Sequence, residues 1–145
     1  MRSRTPLWPL LPLLAMAGAC HADTAASPMQ PGMWELGIAS TLAGRKNPPE
    51  TYRECLAQKD LDDETRTLPR PDGDCRLSNI VRNGNRTTYD ITCRQDGATT
   101  LGRMEVNYAG DMYDGKAELA IITPGKAGAP MSVAISARRI GECSK

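Results

Sequence analysis

Four cysteines, Cys55, Cys75, Cys93 and Cys143, constrain this chain more than anything else in it, and a fifth, Cys20, stands apart near the start. An even set of thiols in a small exported domain reads as a disulfide framework. Bridges form in an oxidising compartment, and a short chain gains from them because its core is modest. The fold must therefore bring four distant positions together in two pairs, for which three pairings exist.

The beginning of the chain supplies the compartment. Arg2 and Arg4 make a basic start, Leu7 to Met16 an apolar run, and Ala17, Gly18, Ala19 and Ala22 the small residues a signal peptidase requires. The apolar run is shorter than the roughly 20 residues of a membrane span and contains Pro9 and Pro12. Residues 1–22 therefore read as a signal peptide. Two processing routes compete. Cutting after Ala22 releases a soluble periplasmic or secreted domain. Cutting before Cys20, where Ala17-Gly18-Ala19-Cys20 resembles a bacterial lipobox, leaves an outer-membrane lipoprotein lipidated at Cys20. Leucine is usual where Ala17 stands, which favours soluble export, and both routes leave four thiols to pair.

Cleavage leaves a single domain of about 120 residues. The chain has 18 basic and 17 acidic side chains, so loss of Arg2 and Arg4 brings the net charge close to minus one. That balance calls for neither nucleic acid nor an anionic membrane surface. The sole histidine, His21, lies at the cleavage site. Its position removes histidine general bases, nucleophilic triads and histidine-ligated metals together. No catalytic constellation is found, and no enzyme activity, cofactor or metal is expected. Asp60, Asp62, Asp63 and Glu64 lack the glycine and distant glutamate of a calcium loop and read as the solvated start of a helix. Asn85-Arg86-Thr87 matches a glycosylation acceptor, which says little for a bacterial envelope protein.

Residues 23–31, small, polar and punctuated by Pro28 and Pro31, read as a flexible lead. Strand signals follow it. Trp34, Leu36 and Ile38 alternate with Glu35, Gly37 and Ala39, the period of two of a sheet with one buried face. Asn47-Pro48-Pro49 is expected to turn the chain into a run from Glu50 to Leu56, and one short helix is expected between Ala57 and Arg66. Cys75 to Arg82 and Arg86 to Cys93 flank Asn83-Gly84-Asn85 as a hairpin with a three-residue loop. Thr99 to Tyr108, Met112 to Ile122 and Met131 to Ile140 complete the set. The expected fold is mainly β, an antiparallel up-and-down sheet or partly open barrel of about seven strands with one short helix, stapled by disulfides, over residues 32–145.

Parity carries the argument to the bridges. Tyr113, Ala117, Leu119 and Ile121 share a face, as do Met131, Val133, Ile135 and Ala137, and the two sets can meet one core across a hairpin. Glu105 and Glu118 fall on outer faces. Cys75 begins its strand and Cys93 ends the next, so both belong at one end of the sheet. Cys143, three strands on, belongs at the other. The expected pairs are Cys75 with Cys93 and Cys55 with Cys143, provided the helical segment crosses the sheet from end to end.

Met29-Gln30-Pro31-Gly32-Met33-Trp34-Glu35, Glu54-Cys55-Leu56, Asp72-Gly73-Asp74-Cys75 and Arg139-Ile140-Gly141-Glu142-Cys143 together resemble the domain-of-unknown-function family 3617, small exported proteins mostly of Gram-negative bacteria. The resemblance covers nearly all of the chain beyond the signal and implies an envelope location, without supplying an activity. A weaker likeness is to lipocalin-type barrels, in which a glycine-x-tryptophan and a late arginine pack together. Gly32, Trp34 and Arg139 would be the structural residues concerned, with Arg139 either stacked on the indole or capping the strand end.

Two classes of function follow. The first is a non-catalytic binding module holding a small apolar ligand or lipid in the concave face, with Leu36, Ile38, Tyr89, Met104, Tyr108, Leu119, Met131 and Val133 as candidate lining residues and Met112 a further methionine of the same adaptable kind. The second is a structural or interaction protein of the envelope with a packed core, whose edges or loops meet another protein.

Overall fold

The structure, a computed structural model, describes residues 28–71 and 73–144. The signal segment, Cys20 and residues 23–27 of the lead lie outside the described residues. Eight strands appear: β1 (Gly32–Leu42), β2 (Arg45–Lys46), β3 (Glu50–Leu56), β4 (Asp74–Asn83), β5 (Arg86–Gln95), β6 (Ala98–Ala109), β7 (Met112–Ile122) and β8 (Ala129–Gly141). All belong to one antiparallel sheet in the order β2-β1-β8-β7-β6-β5-β4, with β3 also paired to β1. β2 and β3 run end to end along one edge of β1, Leu42 facing Arg45 and Ile38 facing Glu50.

That edge corrects the expected turn. The chain reverses at Ala43-Gly44, both at positive φ, and Asn47-Pro48-Pro49 only interrupts the returning strand. Proline has no N–H to give to a ladder, so a strand broken there still continues on the far side.

Inward parity holds across the meander. Tyr113 faces Ala137, Ala117 faces Val133 and Leu119 faces Met131, while on the next pair Tyr108 faces Tyr113 and Met104 faces Ala117. Trp34, Tyr89, Ile91 and Val106 are the largest apolar side chains wholly enclosed by this face. Strands β6 and β7 approach closely at Gly102. A Cβ there would fall 2.1 Å from the Glu118 carbonyl oxygen and 2.9 Å from Leu119 Cδ2, so the position tolerates no side chain.

The β4–β5 hairpin corrects a second expectation. Its loop is two residues, Gly84-Asn85, because Asn83 pairs with Arg86. A bulge then sets Asn79 and Ile80 against Tyr89 alone, with Asn79 at φ 51°. The extra residue restores the register assumed from a three-residue loop, and Cys75 does face Cys93.

β3 and β4 form no ladder with each other, so the sheet stays open and the lipocalin likeness does not extend to a closed barrel. Between them residues 57–73 cross the concave side from one end of the sheet to the other. The single helix expected here is two short ones, α1 (Gln58–Leu61) and α2 (Glu64–Thr67). The acidic side chains explain the break. Asp60 accepts a hydrogen bond from the Ala57 amide at 3.0 Å, and Asp63 accepts one from the Thr65 amide at 3.0 Å, so each caps its own short helix. Leu61 and Leu68 drop from this crossover into the core, and the Tyr89 hydroxyl donates to the Pro69 carbonyl at 2.6 Å.

The crossover makes both expected bridges possible. Cys75–Cys93 and Cys55–Cys143 are both formed, at opposite ends of the sheet. The last residues of the lead are also more ordered in role than expected. Met29 is buried, the Trp34 indole N–H donates to the Gln30 carbonyl at 3.0 Å, and Arg139 Nε donates to the Pro31 carbonyl at 2.8 Å. Residues 29–31 therefore belong to the domain.

Candidate functional site

Under the crossover the concave face is not filled throughout. At the Cys75–Cys93 end lies a cleft of about 380 Å³ whose walls are Ile38, Met104, Leu119, Met131, Val133 and Ile135, with Ile91 and Ala117 at its floor. Asn47, Pro48, Glu50, Arg70 and Pro71 form its rim. The strands place these walls by alternation alone, since each wall residue occupies an inward position of its strand. A second cavity, of about 770 Å³ and more polar, runs toward the other end between β3 and the crossover. The two meet at Ile38, Glu50, Arg70 and Pro71, which line both.

Five of the eight residues expected to line a ligand site, Ile38, Met104, Leu119, Met131 and Val133, come together in the cleft. Leu36 borders the polar cavity instead. Tyr89 and Tyr108 are core, beyond the reach of either. Met112 is a correction of another kind: it is 57% exposed, on the convex face, because it lies one position out of phase with Tyr113. Apart from Glu50, which opens β3, the rim residues carried no signal in the sequence, since the loop and crossover that supply them have no period to read. Ile135 and Ala117 did, as members of the inward sets.

At the Cys55–Cys143 end the packing is dense. Trp34 and Tyr113 have ring centroids 5.9 Å apart, and Tyr113 and Tyr108 5.7 Å. Burial pushes the Tyr113 hydroxyl well above the usual tyrosine range, with the other tyrosines and Glu54 adding to it, and burial does the same at Tyr89. Burial keeps both phenols neutral, and Tyr89 donates its proton to the Pro69 carbonyl. Arg139 lies opposite Trp34 on β8, but its guanidinium is held by the Pro31 carbonyl and the Glu142 carboxylate, and the ring facing the indole is Tyr113.

The convex face carries charge in cross-strand rows. Glu35 sits between Arg138, at 2.7 Å, and Arg53, at 3.0 Å, and their hydrogen bonds hold its carboxyl below the usual range. Asp90 is held low in the same way by Arg103 and Asn79. Glu105 contacts Arg86 and Lys116 on this face, so it is not poised opposite Glu118 as an acid and base pair. Among the described residues no group of three or more histidine, cysteine or carboxylate side chains is placed to hold a metal ion.

Met29 at one end and Cys143 at the other bound the core and its bridges, and the same limits recur in a family profile described as "Protein of unknown function (DUF3617)", which matches residues 29–143. The chain belongs to this family. The DUF3617 match takes in every strand, the crossover and both bridges. No curated protein and no solved structure matches the chain.

Proposed function

We propose that this DUF3617 domain is a non-catalytic binding module of the bacterial cell envelope, exported by the signal in residues 1–22, that holds a small apolar ligand or a lipid chain in the concave cleft. One observation carries the reading: the open face is lined by aliphatic and methionine side chains and retains about 380 Å³ between the sheet and the crossover. Small-molecule sites have this character, apolar walls with a few polar groups at the mouth, and volumes from roughly 300 Å³ upward. Methionine at Met104 and Met131 lets such a wall adapt to ligands of differing shape. The alternative, an interaction protein of the envelope, draws on the free edge of β4, where Val81 is 59% and Ile80 37% exposed. The bulge at Asn79 and Ile80 disturbs that edge as a pairing template, which favours the cleft.

Native mass spectrometry of protein purified gently from a periplasmic extract tests location and ligand at once. The expected mass is that of a chain beginning at Asp23 with a small apolar molecule retained, and the retained mass should vanish in Val133→Trp, which fills the cleft. A bare mass in both proteins would overturn the binding reading. A diacylglyceryl-modified Cys20 would replace soluble export with a lipid anchor.

A further inference from the structure

The residues shared by the two cavities include two charged side chains that the apolar walls lack. Glu50, on the inner face of edge strand β3, and Arg70, on the crossover, stand at the junction together with Ile38 and Pro71. In the polar cavity beyond them Glu54 lies on the β3 side, on the same face as Glu50, and Arg66, on the crossover side, is engaged by Asp60 at 3.7 Å and Asp63 at 3.6 Å. Among the described residues the Glu50 side chain makes no ion pair or hydrogen bond. The Arg70 side chain donates from Nη1 to the Thr65 carbonyl at 3.1 Å, and its charge also helps to hold the Asp63 carboxyl below the usual range. A carboxylate of β3 and a guanidinium of the crossover thus flank the exit of an apolar cleft.

We infer that the ligand is a single-chain amphiphile with a zwitterionic head, its tail in the apolar cleft, its cationic group at Glu50 and its anionic group at Arg70. This rests on the binding reading above and adds the head-group chemistry to it. A purely anionic head would meet Glu50 and Glu54 with like charge, and a purely cationic head would meet Arg70. A zwitterion is attracted by both Glu50 and Arg70. Phosphate or carboxylate on a guanidinium forms charge-assisted hydrogen bonds, about twice as strong as neutral ones. The tail is limited to one chain by the small volume of the cleft, which stands at the low end of small-molecule sites.

The test is a series with one tail and four heads, titrated below micelle-forming concentration by calorimetry: dodecylphosphocholine, laurate, dodecyltrimethylammonium and dodecyl maltoside. The phosphocholine should bind about tenfold tighter than the uncharged maltoside, and the two singly charged amphiphiles no tighter than the maltoside. Glu50→Arg and Arg70→Glu should each abolish the preference, and the doubly exchanged protein should recover it, a rescue that a purely structural effect would not produce. Equal binding of all four heads, unchanged by the exchanges, would overturn the head-group assignment while leaving the apolar cleft intact. Binding of none of the four would overturn both.

Discussion

At Gly32 the backbone runs with φ at +146°, and an added Cβ would come within 2.5 Å of both Arg139 Nε and the Gly141 carbonyl oxygen. Glycine is required there twice over, by conformation and by the guanidinium that leans across it. Gly32→Ala should therefore cost more than about 1 kcal/mol, even though it adds only a methyl group. Trp34, two residues on, is fully buried against Tyr113 with its indole N–H satisfied, so Trp34→Ala should cost about 3–5 kcal/mol. Urea unfolding of both variants measures the two together. An effect below about 0.5 kcal/mol at Gly32 would mean that this corner relaxes freely. The glycine-x-tryptophan spacing singled out both residues from the sequence. The glycine's reason was hidden, because it lies in a side chain more than a hundred positions away.

Strands were the most readable part of this chain, and for a physical reason: alternation reports burial directly, so β5 to β8 could be paired and faced from parity before any contact was known. Short-range competition was not readable. Asp60 and Asp63 look like helix-start residues and are, but each starts its own helix, and the pair of prolines at Pro48 and Pro49 looks like a turn when the true reversal lies at Ala43-Gly44. The bulge at Asn79 and Ile80 was invisible, yet it cancelled the error in loop length, which is why the cysteine pairing came out right from a hairpin whose tip was misjudged. The charge rows outside and phenols inside also set the response to pH. Glu35, Asp63 and Asp90 have carboxyls held below their ordinary range, so what they contribute is present above about pH 4 and is lost as pH falls through their lowered values. Tyr89 and Tyr113 are shifted upward by burial; their contribution is complete below about pH 10 and is lost above it, as the unfolded chain ionises first. No histidine occurs among the described residues, so stability should stay flat between about pH 6 and pH 9. Thermal melts across that range check the plateau. Tyrosinate absorbance from the buried phenols should appear only together with unfolding, and its appearance in the folded protein would show that they are accessible.

The two bridges divide the molecule unequally. Cys55–Cys143 spans 88 residues and Cys75–Cys93 only 18, and the chain-entropy model turns that ratio into a difference of about 1.4 kcal/mol. Cys143→Ser should therefore destabilise the domain more than Cys93→Ser, as denaturant midpoints would reveal, and the reverse order would mean that native contacts and not loop length dominate. Between them the bridges fasten the crossover within two residues of each of its ends, and with it the roof of the cleft. The strand order has a further consequence, in time. β1 is joined to the meander only through β8, the last strand in the chain. A chain delivered from its N-terminus thus presents the β1–β3 ribbon first and must hold it without a ladder partner until the final strand arrives. Cys75 and Cys93 can meet long before that moment. Cys55 cannot, and until Cys143 at the far end of the domain has emerged, it is the thiol that has to wait.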